Sequence, residues 1–210
     1  MESWGSLFER AAAVDADVDE PAVRESLAAI RARGEDAAAD GADDDGGARG
    51  RVEPPAGSGP ARVVADADVL AADLLVGGDA RAALDHLRRH AWTTLLASDP
   101  LLDDAEATVA DLADSNLAAA WRERVVSWRE SVTHPPGDSP ALGSAYRGGA
   151  MHVLTFDDRL RSPGAGATLG ADLTVSARDP GAFAALFDAG SLYPEVVGGE
   201  YPGADRDPRS

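Results

Sequence analysis

Short apolar runs alternate with segments of helical periodicity between residues 61 and 188. Four runs have the length and composition of buried strands, and they lie at residues 62–65, 93–97, 151–155 and 173–175. The segments between them repeat apolar residues at intervals of three and four, as in helices that pack by one face. This alternation predicts a parallel sheet covered by helices. We therefore expect an α/β fold with three layers, α/β/α, around a central, mostly parallel sheet of four to five strands.

Residues 1–33 predict a short helical N-terminal extension. One short helix is expected around Leu7, and a second begins near Pro21, a residue favoured at the first helical position. The second helix has a narrow apolar stripe made of Val23, Leu27 and Ile30. Two such helices cannot bury a core by themselves, so we expect them to dock on the main domain or on a partner.

The remaining residues outside the main domain predict a linker and a tail. Residues 34–60 are acidic and rich in glycine and proline, and such a segment cannot bury enough apolar surface to offset its ordering entropy. Residues 189–210 are also rich in glycine, proline and charge, and they are expected to form a flexible C-terminal tail. The main domain is therefore expected at residues 61–188, between the two segments.

The composition is strongly acidic, with a formal net charge of -18, and every one of the 19 basic residues is arginine. This bias favours a protein of a halophilic archaeon, because a dense carboxylate surface keeps water and cations bound at high salt. The alternative, an acidic and partly disordered protein, is disfavoured by the 44% hydrophobic content. Such a charge normally repels nucleic acid, but at 1 M salt the Debye length is only about 3 Å.

The absence of cysteine excludes disulfides, cysteine-bound zinc and a thiol nucleophile. There is no run of about 18 apolar residues for a membrane span, and the first residues lack the pattern of a signal peptide. We therefore expect a cytoplasmic protein without a membrane partner.

Acidic and hydroxyl side chains follow three of the predicted strands, where open parallel sheets bind their ligands. Asp66 and Asp68 follow the first strand, and Ser98 follows the second. Further candidates are Asp103, Asp104 and Glu106 on the next helix, Asp138 as the cap of a later helix, and Asp157 and Asp158 after the third strand. Crowded carboxylates repel one another unless a cation lies among them, and oxygen ligands suit Mg²⁺ or Mn²⁺.

Four segments also follow a recognisable order: residues 64–70, 98–104, 138–142 and 155–157. They are, in turn, an aspartate after a strand, a serine followed by a helix with an acidic residue, an aspartate at a helix start, and a closing Thr-x-Asp. In this order they resemble the motifs of PIN-domain nucleases, over residues 62–187. The resemblance implies an endoribonuclease that hydrolyses single-stranded RNA with water activated by Mg²⁺ or Mn²⁺.

Carried over to this chain, the resemblance implies a set of catalytic and metal-binding residues, which are Asp66, Asp104, Asp138 and Asp157. Supporting roles around the metal fall to Asp68, Ser98, Thr155 and Asp158. Arg147 and Arg159 are expected to flank the acidic edge and bind substrate phosphates. PIN domains usually have glutamate at the second acidic position, so Asp104, Asp103 and Glu106 stay open as that ligand.

Three alternatives stay open beside the nuclease. The first is purely structural, because aspartate is also a residue type that caps helices. The second is a PIN-like module without catalysis, which would serve RNA binding or protein interaction. A toxin held by an antitoxin is the third, although the N-terminal extension would then have to act as a built-in partner. The expected partners are single-stranded RNA, a second copy of the chain in a homodimer, and a protein bound through the N-terminal helices.

Overall fold

The computed structural model describes residues 1–14, 18–40, 57–162 and 175–210, with side chains in the second helix described as far as Gly34. The elements of the first half are α1 (Trp4–Ala12), α2 (Glu20–Asp40), β1 (Gly59–Ala65), α3 (Ala67–Leu75), α4 (Gly78–Arg88), β2 (Thr94–Ala97) and α5 (Asp99–Leu112). Those of the second half are α6 (Ser115–Trp128), β3 (Glu130–Ser131), α7 (Pro140–Gly148), β4 (Ala150–Leu154), α8 (Asp158–Arg161), β5 (Ser176–Arg178), α9 (Pro180–Leu186) and α10 (Ala189–Val196).

The strands form a five-stranded, entirely parallel sheet in the order β3-β2-β1-β4-β5, flanked by helices. The predicted three-layer α/β/α fold is therefore confirmed. In chain order, β2 and then β3 are added to the sheet on one side of β1. The chain then crosses over the sheet, and β4 and β5 are added on the other side of β1. The strand order thus reverses between β1 and β4, and the carboxyl ends of strands at such a reversal border a natural ligand crevice.

The central strands are apolar on both faces because helices cover the sheet from both sides. Val63, Val64, Leu96 and Val153 are all essentially inaccessible to solvent. Near-continuous apolar runs are typical of parallel strands buried in this way, and each such side chain contributes roughly 1.5–3 kcal/mol on burial. The rigid centre of the sheet therefore fixes the positions of the residues that follow β1 and β4.

Both N-terminal helices dock on this domain. In α1, Trp4, Leu7 and Phe8 join the central hydrophobic core. In α2, Val23 and Leu27 are buried, and the helix packs against α3 and α5. The extension is thus part of the folded body, which is one of the two arrangements expected for it.

The predicted linker and tail differ from the structure at their described residues. Helix α2 continues to Asp40, and β1 already begins at Gly59, while residues 41–56 lie outside the described residues. The tail is not loose, because it contains α10 and its later residues return to the body. Tyr201 contacts His90, the backbone amides of residues 205 and 206 bond to the Arg89 carbonyl, and Arg209 pairs with Asp85.

Two strands differ from the predicted pattern. The fourth strand was expected at residues 173–175, of which 173 and 174 lie outside the described residues, and the observed β5 is Ser176–Arg178. The edge strand β3, Glu130–Ser131, lies between the second and third predicted strands, in a segment for which only helices were expected. Within the described ranges, no helix is both long and apolar enough to cross a membrane.

Candidate functional site

Asp66 lies at the reversal of the sheet, immediately after β1. Its backbone amide donates to the Leu154 carbonyl at the end of β4 at 2.8 Å, which ties the two strand ends together. Its carboxylate caps α3, and Oδ1 accepts from the Ala67 amide at 2.7 Å. Only 1% of Asp66 is exposed. A carboxylate so deeply buried requires compensating partners to keep its charge.

Thr155, which follows β4, joins two buried carboxylates. Its Oγ1 lies 3.2 Å from Oδ2 of Asp66 and 3.4 Å from Oδ2 of Asp68. The hydroxyl has one proton and therefore donates to one of them at a time. The same oxygen accepts from the Asp157 amide at 3.1 Å. The Thr-x-Asp segment and the opening aspartates of the predicted motifs are thus in direct contact.

Asp68 lies in the first turn of α3 and is held by backbone amides. Its Oδ1 accepts from Val69 at 2.7 Å and its Oδ2 from Phe156 at 3.0 Å. Burial, followed by repulsion from Asp66, raises the pKa of Asp68 to about 7, although the two amides act in the opposite direction. The site therefore has more negative charge than its surroundings easily stabilise.

Arg31 of α2 is the counterion that the structure supplies. Its Nη2 donates to Oδ1 of Asp66 at 2.9 Å, and its Nε donates to Oδ2 of Asp104 at 2.8 Å. Burial alone would lower the pKa of Arg31, but the charges and hydrogen bonds of the two aspartates outweigh burial and raise it. The guanidinium is therefore a permanent cation that bridges the end of β1 and helix α5.

The bridge also distinguishes Asp104 from its acidic neighbours on α5. Asp103 and Glu106 instead pair with Arg122, at 2.6 and 3.1 Å. The Asp103 side chain is 65% exposed, whereas that of Asp104 is 21% exposed. Of the three candidates for the second acidic position, Asp104 is thus the one that shares a cation with Asp66.

The backbone amide of Asp157 bonds to Thr155, whereas its carboxylate pairs with Arg159. The two side chains form a two-pronged ion pair with a closest approach of 2.8 Å. The side-chain hydrogen bond from Arg159 lowers the pKa of Asp157. Asp158, expected in a supporting role, is exposed and pairs with Arg161 at 2.5 Å.

A concave groove of about 760 Å³ opens between α2 and the segment after β4. Charged side chains of both signs line it, namely Arg24, Glu25, Arg31, Asp68, Asp157, Asp158 and Arg159. Arg159 therefore lies at the acidic edge, as expected, and 90% of its side chain is exposed.

Two predicted positions differ in the structure. Ser139, and not Asp138, is the N-cap of α7, and among the described residues Asp138 belongs to no acidic group that could hold a metal ion with the other three aspartates. Arg147 is in the last turn of α7, which leads into the amino end of β4. A strand of five residues spans roughly 16 Å, so Arg147 lies at the edge of the sheet opposite Thr155. It does not flank the acidic edge.

Ser98 follows β2 and caps α5 instead of contacting a carboxylate. Its Oγ accepts from the Leu101 amide at 3.3 Å and lies 3.0 Å from Nε2 of His134. Its amide donates to Oγ of Ser144 in α7 at 3.2 Å. Ser98 thus fixes the start of α5, the helix that carries Asp104.

Sequence patterns had not indicated Arg31 or His134. Arg31 nevertheless continues the buried stripe of α2, since Val23, Leu27 and Arg31 are spaced by four residues. A basic residue that extends an apolar helix stripe is the signal that points to a buried acidic partner. His134 lies in the connection between β3 and α7, where no sequence spacing relates it to Ser98.

The carboxylate oxygens of this site are chemically suitable ligands for a hard divalent cation. Asp66 and Asp104 contribute carboxylate oxygens that already share one positive charge, the guanidinium of Arg31. The described residues contain no group of three or more histidine or acidic side chains arranged to hold a metal ion. The two aspartates are therefore the residues that would hold a cation, together with groups that the site would have to recruit.

Comparisons with known proteins give a family and no activity. No curated protein and no solved structure matches this chain significantly. The model of DUF7384, described as a family of unknown function, matches residues 57–209, which include β1 to β5 and exclude α1 and α2. Because this match covers most of the 210 residues, the chain belongs to the DUF7384 family.

Proposed function

We propose that this protein is a metal-dependent endoribonuclease of PIN type, which hydrolyses RNA phosphodiesters at the reversal of the sheet. One observation carries the proposal: Asp66 and Asp104, from a strand end and a separate helix, converge on one positive charge, the guanidinium of Arg31. RNA is the proposed substrate because four segments resemble the PIN motifs in order. The cations proposed for the site are Mg²⁺ or Mn²⁺.

Each residue has a task that follows from its contacts. Asp66 is held rigidly by the Ala67 amide and Thr155, so its carboxylate is oriented before any ligand arrives. Thr155 keeps Asp66, Asp68 and the backbone of Asp157 in one hydrogen-bonded group. A divalent cation, when bound, would supply the polarisation of the phosphate and the activation of water.

The groove offers a place for the substrate backbone. Arg159 is exposed at its rim, and Arg24 lines it from α2. Arginine suits phosphate binding because its planar fork donates two parallel hydrogen bonds. Since the chain as a whole has a charge of -18, these contacts would act over short distances and at salt concentrations that screen the remaining surface.

The test is cleavage of single-stranded RNA in 1–3 M KCl, with Mn²⁺ or Mg²⁺ and with chelator. We expect Asp66→Asn and Asp104→Asn to lose activity roughly a hundredfold or more, because each removes a proposed ligand of the cation. Asp103→Asn is the matched control: it is the adjacent residue of the same helix, but it pairs with Arg122 and should retain activity. Equal cleavage by Asp66→Asn, or full activity in chelator, would refute the metal-dependent nuclease proposed for this site.

A second candidate function is a PIN-like module without catalysis, acting in RNA binding or protein interaction. The observation in its favour is that Arg31 already supplies the positive charge between Asp66 and Asp104. This candidate predicts that calorimetric titration with Mn²⁺ gives the same result for the wild type and for Asp66→Asn, without binding heat that depends on Asp66. It also predicts RNA binding, if present, that is indifferent to chelator.

A further inference from the structure

We infer that Arg31 is a built-in substitute for the metal ion, so that helix α2 is a removable cover over the site and competes with a divalent cation for Asp66 and Asp104. The inference rests on the proposed cation site. It adds that the described arrangement is the closed form, in which the protein's own guanidinium takes the position of the ion.

The first support is the geometry of the guanidinium. Its Nε and Nη2 point to two different aspartates, at 2.8 and 2.9 Å, and both partners lie on elements of the main domain. A cation that bridged Asp66 and Asp104 from the side of Arg31 would compete with the guanidinium for Oδ1 of Asp66, which also accepts the Ala67 amide. Arg31 and the ion therefore cannot both bind this oxygen at full strength.

The second support is the arrangement of α2. Among its described side chains, only Val23, Ser26 and Leu27 are buried, and all the others are exposed or half-buried. Ser26 adds one hydrogen bond to Asp111 of α5 at 2.7 Å. The groove also separates part of α2 from Asp157 and Arg159, so the helix is bordered by open space on the side of the site.

The third support is where the helix lies in the chain. The family match begins at residue 57, so the carboxylates belong to the shared domain, whereas the arginine comes from a segment outside it. A residue that completed the site for every member would be expected within the matched region. An added helix that supplies a counter-charge fits the role of a regulator of this site.

The first experiment is Mn²⁺ titration of the full-length protein by calorimetry in high salt, with Arg31→Gln and Arg31→Lys. We expect Arg31→Gln to bind Mn²⁺ about tenfold more tightly or better than the wild type, and Arg31→Lys to fall between them, because one ammonium group bridges two carboxylates poorly. Arg33→Gln is the control from the same helix: it removes one guanidinium at an exposed position two residues further on, and it should leave the Mn²⁺ affinity unchanged. Unchanged Mn²⁺ affinity in both Arg31 variants would overturn the inference.

The second experiment needs no substitution at Arg31, so it decides the question even where those variants fold poorly. Hydrogen exchange of the wild type is followed with and without saturating Mn²⁺. We expect faster exchange in residues 20–34, unchanged exchange in α1, and no response in Asp66→Asn. Exchange in α2 that Mn²⁺ leaves unchanged or slows would contradict a cover that the ion displaces.

Failure of the cover and failure of the nuclease give different results. If Arg31→Gln binds Mn²⁺ tightly and cleaves no RNA, the cover stands and the proposed activity falls. If the wild type cleaves RNA with Mn²⁺ and Arg31→Gln binds the ion no better, the nuclease stands and the cover falls.

Discussion

At the scale of single residues, Asp68 shows how burial beside a second carboxylate changes the protonation of an aspartate. Its carboxylate is almost completely buried beside Asp66, and two backbone amides and the Thr155 hydroxyl surround it. Its pKa of about 7 in the folded protein compares with 3.8 for an unperturbed aspartate. The folded chain therefore binds a proton at pH values where the unfolded chain has released it.

This difference predicts how stability depends on pH in metal-free protein. The contribution of Asp68 is complete below about pH 4 and is lost as pH rises through about 7, because the charged form is disfavoured only in the folded state. Urea unfolding between pH 4.5 and 8 should show a falling free energy of unfolding, and Asp68→Asn should flatten that slope. Asp103→Asn, at an exposed position, should keep it. A slope that is unchanged in Asp68→Asn would contradict this origin.

At the scale of elements, α7 packs so closely on the sheet that a side chain at its last residue would overlap its neighbours. A Cβ atom on Gly148 would lie 2.5 Å from Cδ1 of Leu96 and 3.1 Å from Cγ2 of Val132. Leu96 is fully buried in β2, so it has no free space to move into. The close seat of α7 also brings Ser144 to the amide of Ser98.

We predict that Gly148→Ala lowers the free energy of unfolding by about 1–3 kcal/mol through overpacking. Gly34→Ala is the matched substitution in α2, where a Cβ atom meets nothing within 4 Å. It should leave stability unchanged or raise it by up to about 1 kcal/mol, because alanine favours the helix. Both values come from urea titrations at one salt concentration. A Gly148→Ala protein as stable as the wild type would show that β2 and α7 can separate at little cost.

The elements also show what the sequence could predict. Apolar runs that end at Asp66, Ser98 and Thr155 marked β1, β2 and β4 within one to three residues, because strands buried on both faces have few polar positions. The edge strand β3 was missed because Glu130 and Ser131 are both exposed and therefore have no apolar signature.

The site was predictable where it depends on strand ends, and unpredictable where it depends on packing between distant helices. β1 and β4 are neighbouring strands, so the residues that follow them come into contact, namely Asp66, Asp68 and Thr155. Arg31 reaches Asp66 across 35 residues of chain, and local spacing has no information about that contact. Asp138 was expected to cap α7, but the cap position belongs to the next residue, a shift that helix-start patterns do not resolve.

At the scale of the whole molecule, the charge of -18 predicts a protein that is stabilised by salt. Raising salt from 0.1 to 1 M shortens the Debye length from about 10 to about 3 Å, so repulsion among surface carboxylates falls. The urea midpoint should increase over this range. A variant with Glu9→Gln, Glu123→Gln and Glu200→Gln, all at exposed positions, should show a smaller increase. An identical increase in that variant would assign the effect to general salting-out.

The firm anchorage of α1 has a consequence for how the cover would work. Trp4 and Phe8 are buried, with the guanidinium of Arg88 4.1 Å from the Trp4 ring and that of Arg81 3.8 Å from the Phe8 ring. A detached α2 would therefore stay tethered at both ends, to α1 on one side and to β1 on the other. Its effective concentration near Asp66 would be set by the length of the tether and not by the amount of protein present. Metal would then meet the same competitor at every protein concentration, and dilution alone would never open the site.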